Sequence, residues 1–166
     1  MADKNEKISE FISLSEAMAS STAEKLGINN MPPYEIIEVM KLTAKAVFDP
    51  VRTFFNCRIA VTSFFRCAAL NDVLNKNPVI LATKKSQHTL GEAMDINASV
   101  FGRVTNKQIF DYIRANLEFD QLIWEDGTDE DPAWVHVSYK GGEGKTNRMQ
   151  VLRKQRVDGK TGYYKM

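Results

Sequence analysis

Two histidines and one aspartate are the residues of this sequence best suited to chemistry. The chain has only two histidines, His88 and His136, so a metal site built on a pair of imidazoles has one available pair. His88 lies in Ser86-Gln87-His88-Thr89-Leu90-Gly91-Glu92-Ala93-Met94-Asp95-Ile96, and His136 in Trp134-Val135-His136-Val137-Ser138. Asp95 follows His88 by seven positions, and a turn at Gly91 can bring the two to one point. A His, Asp, His set fills three positions around a tetrahedral metal and leaves the fourth open, which distinguishes catalytic zinc sites from closed structural ones. Spacing alone leaves a second reading open, in which each histidine is an ordinary hydrogen-bonded strand residue.

The elements that must position these groups can be read from periodicity. From Glu92 to Ala98 the alternation places Ala93, Asp95 and Asn97 on one face and Met94, Ile96 and Ala98 on the other, as in a half-buried strand. Phe119 to Glu125 and Trp134 to Tyr139 read as two strands joined by the acidic loop Asp126 to Ala133. In the second of them Trp134, His136 and Ser138 share a face. If the two pair as a hairpin, register decides whether Gln121, Ile123 and Glu125 lie on that same side. Thr105 to Gln108 is a capping box, and Ile109, Phe110, Ile113 and Leu117 continue it as a helix packed on the sheet.

Upstream, a first helix is expected from Ser13 or Ser15 to about Lys25, stopped by Gly27. A second starts at Asn30-Met31-Pro32-Pro33 and buries Ile36, Ile37, Met40, Ala44, Val47 and Phe48 along one side, until Asp49-Pro50 breaks the pattern. A strand from Arg58 to Thr62 and a helix from Ala68 to Asn75 put Arg66 at a strand-to-helix corner, where arginine is most often a surface ion-pair residue. Arg148 to Arg153 offers a further strand. The tail from Asp158 to Met166 is polar apart from Tyr163 and Tyr164.

Composition bounds the proposal. With 166 residues, 43% hydrophobic and 26% charged, the chain fits one domain spanning 1–166, with 1–12 and 158–166 peripheral. A net charge of +1 gives no reason to expect nucleic acid as a partner. Cys57 and Cys67 form no C-x-x-C pair; two thiols are the ordinary expectation and a disulfide the alternative. The charged start, Met1 to Lys7, is not followed by an apolar run of signal-peptide length, and no stretch approaches the roughly 20 apolar residues of a membrane span. The chain is therefore expected to be cytoplasmic as synthesised and a monomer, without membrane insertion.

Ser86-x-His88-x-x-Gly91-x-Ala93-x-Asp95-Ile96 together with Trp134 to Ser138 resembles the zinc D-alanyl-D-alanine carboxypeptidases and phage endolysins of peptidase family M15, especially the carboxypeptidase A branch. Val61-Thr62-Ser63-Phe64-Phe65-Arg66 through Leu70-Asn71 is similar to that family's T-S-G-Y-R segment and following L-N. Leu14 to Pro32 is similar to its S-x-T-A and N-x-P opening, Asp49 to Arg52 to its P-x-R, and Phe119 to Glu125 to a further piece. The likeness covers about residues 13 to 153. It implies an α+β fold of the hedgehog and D,D-peptidase type, with an antiparallel sheet bearing the zinc site and helices packed against it. It also implies zinc held by His88, Asp95 and His136, Arg66 binding or polarising the substrate's carbonyl or carboxylate, and peptidoglycan stem peptides as substrate. Ser86 and Gln87 would shape the entrance or serve core hydrogen bonding.

The sequence departs from the family pattern at Phe64 and Phe65, which replace glycine and tyrosine and are expected to narrow or re-line the cleft. It departs again at Ala133, where many members carry the catalytic acid three residues before the second histidine. The general base must then come from elsewhere: Glu125 first, Asp131 second, Glu92 third, with a solvated acidic loop as the plain reading of Asp131. A lytic role would need release by a pore-forming phage holin. The alternative from another class is a non-catalytic, zinc-containing binding module of the hedgehog-like fold.

Overall fold

The computed structural model describes residues 6–76, 86–142, 144–157 and 160–166. Ser13 starts a short helix, α1 (Leu14–Ala17), through a capping box with Glu16. The single helix expected up to Lys25 is instead two. Ser20 adopts an extended backbone and its hydroxyl accepts from the Ala23 N–H, opening α2 (Ser21–Leu26). A side chain that satisfies free N–H groups from an extended residue offers the backbone an alternative to continuing one helix. Gly27 closes α2 in the left-handed region, as expected.

The next helix, α3 (Tyr34–Thr43), runs through a π-wound turn, Ala44–Phe48, directly into α4 (Asp49–Phe55). Asp49-Pro50 is thus not a break. Pro50 falls in the first turn of α4, and the wider π turn before it accommodates the ring and the missing N–H that would disrupt a regular helix. Ile37, Met40, Ala44, Val47 and Phe48 are buried in the core, confirming the apolar stripe.

β1 (Ala60–Ser63) and α5 (Ala68–Lys76) follow, then a 3-10 turn, Gln87–Leu90, and β2 (Ala93–Asn97). Next come α6 (Asn106–Asn116), β3 (Gln121–Glu125), β4 (Trp134–Ser138), β5 (Gln150–Val157) and β6 (Lys160–Lys165). The strands form one sheet in the order β1-β2-β4-β3-β5-β6, giving an α+β architecture. Its site-bearing half, β1-β2-β4-β3, is antiparallel as expected. The sheet as a whole is mixed, because β5 joins β3 in parallel before β6 returns antiparallel.

One face of the sheet buries Met94, Ile96, Leu122, Trp124, Val135 and Val137 against Ile109, Phe110 and Ile113 of α6 and the α3–α4 helices. Alternation then sends Asp95, His136 and Glu125 to the other face. Two segments expected to be peripheral do more than that. Ile8 and Ile12 are buried in the core, and the tail is paired as β6, although Asp158 and Gly159 lie outside the described residues. Both cysteines are free, Cys57 buried and Cys67 half-buried. No helix among the described residues is long and apolar enough to cross a membrane.

Candidate active site

Asp95 of β2 and His136 of β4 are direct cross-strand partners, which fixes their side chains next to each other on one face. His88 arrives from the 3-10 turn, which Ser86 caps and Gly91 ends in the left-handed region at φ 70°. Gly91 also packs so closely on α3 that a Cβ there would lie 2.7 Å from the Met40 side chain, so only glycine makes this turn. His136 Nδ1 lies 2.9 Å from Asp95 Oδ1, and His88 Nε2 lies 3.4 Å from Asp95 Oδ2. The three side chains present one donor atom each within 4.8 Å of one another.

These residues fit a metal. Donors about 2.0–2.1 Å from a tetrahedral zinc stand roughly 3.3 Å apart; the two histidine-to-carboxylate separations are near this, and all three donors fall within 4.8 Å. The donor chemistry fits as well. His88 Nδ1 is 2.8 Å from the Phe64 carbonyl oxygen, which can only accept, so Nδ1 carries the proton and Nε2 presents its lone pair to the centre. Burial pushes the His88 imidazole below its ordinary value, against the pull of Asp95, keeping it neutral as a ligand must be. Burial opposes ionisation of Asp95, yet the facing imidazoles hold its carboxyl well below the usual carboxylate range.

Arg66 joins this centre rather than the surface. Its Nη2 donates to Asp95 Oδ2 at 2.7 Å and its Nε to Ser63 Oγ at 2.9 Å, with the side chain only 13% exposed. The corner that carries it is held by Asn30, which the sequence marked only as part of a helix start and of the N-x-P likeness. Asn30 Nδ2 donates to the carbonyls of Met18 and Phe65 at 2.8 and 3.1 Å, and its Oδ1 accepts from Cys67 N at 2.8 Å. Asn30→Ala should therefore lower stability by roughly 1–3 kcal/mol, the cost of leaving a buried polar group unpaired. Urea unfolding checks this; an unchanged midpoint would show the corner holds without Asn30.

A cleft of about 240 Å³ opens beside Arg66 and Asp95, lined also by Ser20, Ser63, Phe65 and Trp134. Phe65 does line it, whereas Phe64 is buried in the core and contributes only its carbonyl to His88.

The three candidate bases separate cleanly. In the β3–β4 pair, Ile123 faces His136 and Glu125 faces Trp134, so Glu125 lies on the side of the sheet that carries His136. Glu125 is buried, and its Oε2 has no hydrogen bond among the described residues; the nearest cation, Lys154 Nζ, is 3.4 Å away. Burial pushes this carboxyl above its ordinary value. Asp131, by contrast, accepts from Lys107 N at 2.6 Å and so caps the start of α6. Glu92 pairs with Lys145 at 2.8 Å and takes a bond from Gln87 Nε2 at 3.4 Å. Neither is brought to the histidines.

Gln87 also donates to Asp120 at 3.1 Å, tying the turn that carries His88 to the start of β3. Ser86 and Gln87 thus serve to position that turn. Asp120 is fully buried; the sequence marked it only as part of the Phe119 to Glu125 likeness, and nothing local gave its role, because its partners, Arg148 and Lys140, come from far along the chain. Burial would raise its carboxyl, but hydrogen bonds from the side chain and backbone of Arg148 outweigh this and bring it to about 2. A depressed folded-state value means stability that is present above about pH 4 and lost as the pH falls toward 2. Asp120→Asn should flatten that acid limb by about 2 kcal/mol in urea unfolding followed against pH. An acid limb identical to the wild type would contradict the assignment.

Fold and site together define a class: an α+β protein in which one sheet face gathers a three-donor His, Asp, His group able to bind a metal, beside an arginine and a buried glutamate. Residues 10–138 match the Peptidase M15 family, and the chain belongs to it. Membership makes the chain a hydrolase and suggests a zinc peptidase acting on peptidoglycan. The match is to the family as a whole and does not divide its branches. No curated protein matches the chain.

Proposed function

We propose that this chain is a zinc metallopeptidase that hydrolyses peptidoglycan stem peptides, as a D-Ala-D-Ala carboxypeptidase or an endolysin-like peptidase, with His88, Asp95 and His136 as the metal ligands. The observation that carries this is the meeting, on one sheet face, of the three donors with the buried Glu125, whose Oε2 has only the Lys154 ammonium near it at 3.4 Å among the described residues. Zinc, when bound, supplies a Lewis acid that makes water nucleophilic near neutral pH and polarises a carbonyl.

The chain's own residues do the rest. Glu125 takes the proton of the attacking water and returns it to the leaving amine, a role worth roughly a hundredfold to ten-thousandfold in rate. Asp95 and Ser63 hold Arg66, whose Nη1 has no partner among the described residues and is left to donate to the substrate's carbonyl or terminal carboxylate. Fixed donors of this kind cost no reorganisation at the moment of reaction. The likeness to the carboxypeptidase A branch and to phage endolysins supports a bond involving a D-amino acid.

Mass spectrometry of products from defined stem peptides, with and without a chelator, tests this reading. Chelator-sensitive release of D-alanine or shorter peptides is expected. Stoichiometric zinc with no cleavage of any stem peptide would instead favour the binding-module alternative.

A further inference from the structure

The hairpin of β5 and β6 lies beyond the residues matched to the family, yet it extends the face that carries the site. β5 runs parallel to β3 with Leu152 beside Ile123, so Lys154 falls beside Glu125, and the 3.4 Å approach of Lys154 Nζ to Glu125 Oε2 agrees. In β6 the partner of Lys154 is Tyr163. One row across the sheet therefore reads Trp134, Glu125, Lys154, Tyr163, alongside the row of Asp95, His136 and Ile123. Tyr163 stands two strand spacings, about 10 Å, from the Glu125 backbone.

Lys154 cannot be the group this row offers to a substrate. Its ammonium donates to Asp126 at 3.0 Å, lies near Glu125 and sits over the Trp134 ring at 5.4 Å. Tyr163 is different. It is 41% exposed, and its hydroxyl has no hydrogen-bond partner among the described residues. Burial pushes its phenol up, and the charges of Glu125, Asp95 and Asp126 push it further, with Arg66 acting the other way. The oxygen thus sits in the field of Asp95 and Arg66, which line the cleft, and of Glu125 and Asp126 at the end of β3, and it keeps its proton near neutral pH. It is a donor, not a base.

We propose that Tyr163 is a further catalytic residue, its phenol O–H donating a hydrogen bond to the scissile carbonyl oxygen of a bound stem peptide as that oxygen gains negative charge. Arg66 enters from the β1 side and Tyr163 from the β6 side, so the substrate oxygen lies between two donors. This rests on the peptidase reading above.

The test compares Tyr163→Phe with the wild type on a stem peptide the wild type cleaves, measuring kcat and KM, zinc content, and affinity for a phosphinate mimic of the tetrahedral state. Loss of one such donor should lower kcat by about a hundredfold or more and weaken the phosphinate by a comparable factor, with KM within about twofold. Zinc content should not change. Tyr164→Phe serves as control, because Tyr164 pairs with Arg153 on the opposite face and should leave all four measurements unaltered. An unchanged kcat in Tyr163→Phe, an effect confined to KM, or an equal loss in Tyr164→Phe would overturn the proposal. A wild type that cleaves no stem peptide would instead defeat the peptidase reading itself, and this inference with it.

Discussion

Glu125→Gln should bind zinc as the wild type does and turn over stem peptides roughly a hundredfold to ten-thousandfold more slowly, the usual worth of a positioned acid–base group. Glutamine keeps the shape and the strand position of Glu125 but cannot take a proton. The three donor atoms gathered by His88, Asp95 and His136 do not include Glu125, so metal content should be spared. Glu125 is the one candidate base that the β3–β4 register brings to the face of His136, since Asp131 is engaged at α6 and Glu92 with Lys145. Metal analysis paired with single-peptide rate measurements checks both halves. Full activity in Glu125→Gln would remove this residue from the reaction.

The second large effect concerns the metal itself. His136→Ala should lose zinc and, with it, all metal-linked stability. Contacts that merely orient a ligand cost about 10–100-fold in metal affinity, so removal of a ligand should exceed that. At free zinc about a thousandfold above its dissociation constant, binding stabilises the folded chain by about 4 kcal/mol. For a chain of this size that corresponds to a melting temperature roughly 8–16 °C higher with zinc than with chelator. Thermal melts of the wild type should show this gap, and those of His136→Ala should not. A variant whose melting still responds to zinc as the wild type does would mean that the ion is held elsewhere.

How much of this was legible beforehand depends on what each residue needed. The His88, Asp95 and His136 group was offered by a chain with two histidines, a turn at Gly91 and the alternation in β2, but spacing alone left it open, and the family resemblance was needed to favour it. The placing of Glu125 on the face of His136 needed a register, and period-two strands do not carry one. Register here follows from the β3–β4 connection, where Asp126 and Gly127 both adopt positive φ and Asn106 binds the Pro132 and Ala133 carbonyls. Residues 126–130 of the acidic loop are exposed, as expected; Asp131 departs from that reading because the N–H it caps belongs to another segment of the sequence.

Other features were hidden for similar reasons. The division between α1 and α2 turned on which of several serines caps, a contest local pattern does not decide. Pro50 looked like a stop because the π turn that absorbs it has no sequence mark. β6 is an exposed edge strand with little apolar alternation, and only its long-range pairing with β5 shows that Tyr163 returns to the site's face.

The central claim is that His88, Asp95 and His136 hold one zinc ion at a site left open to water. X-ray absorption at the zinc edge, on protein of known metal content, tests it most directly. One ion per chain with two imidazole nitrogens and a light-atom remainder, lost together in His136→Ala, is the predicted result. A purified, folded chain that takes up no zinc, or a zinc spectrum unchanged by His136→Ala, would contradict it.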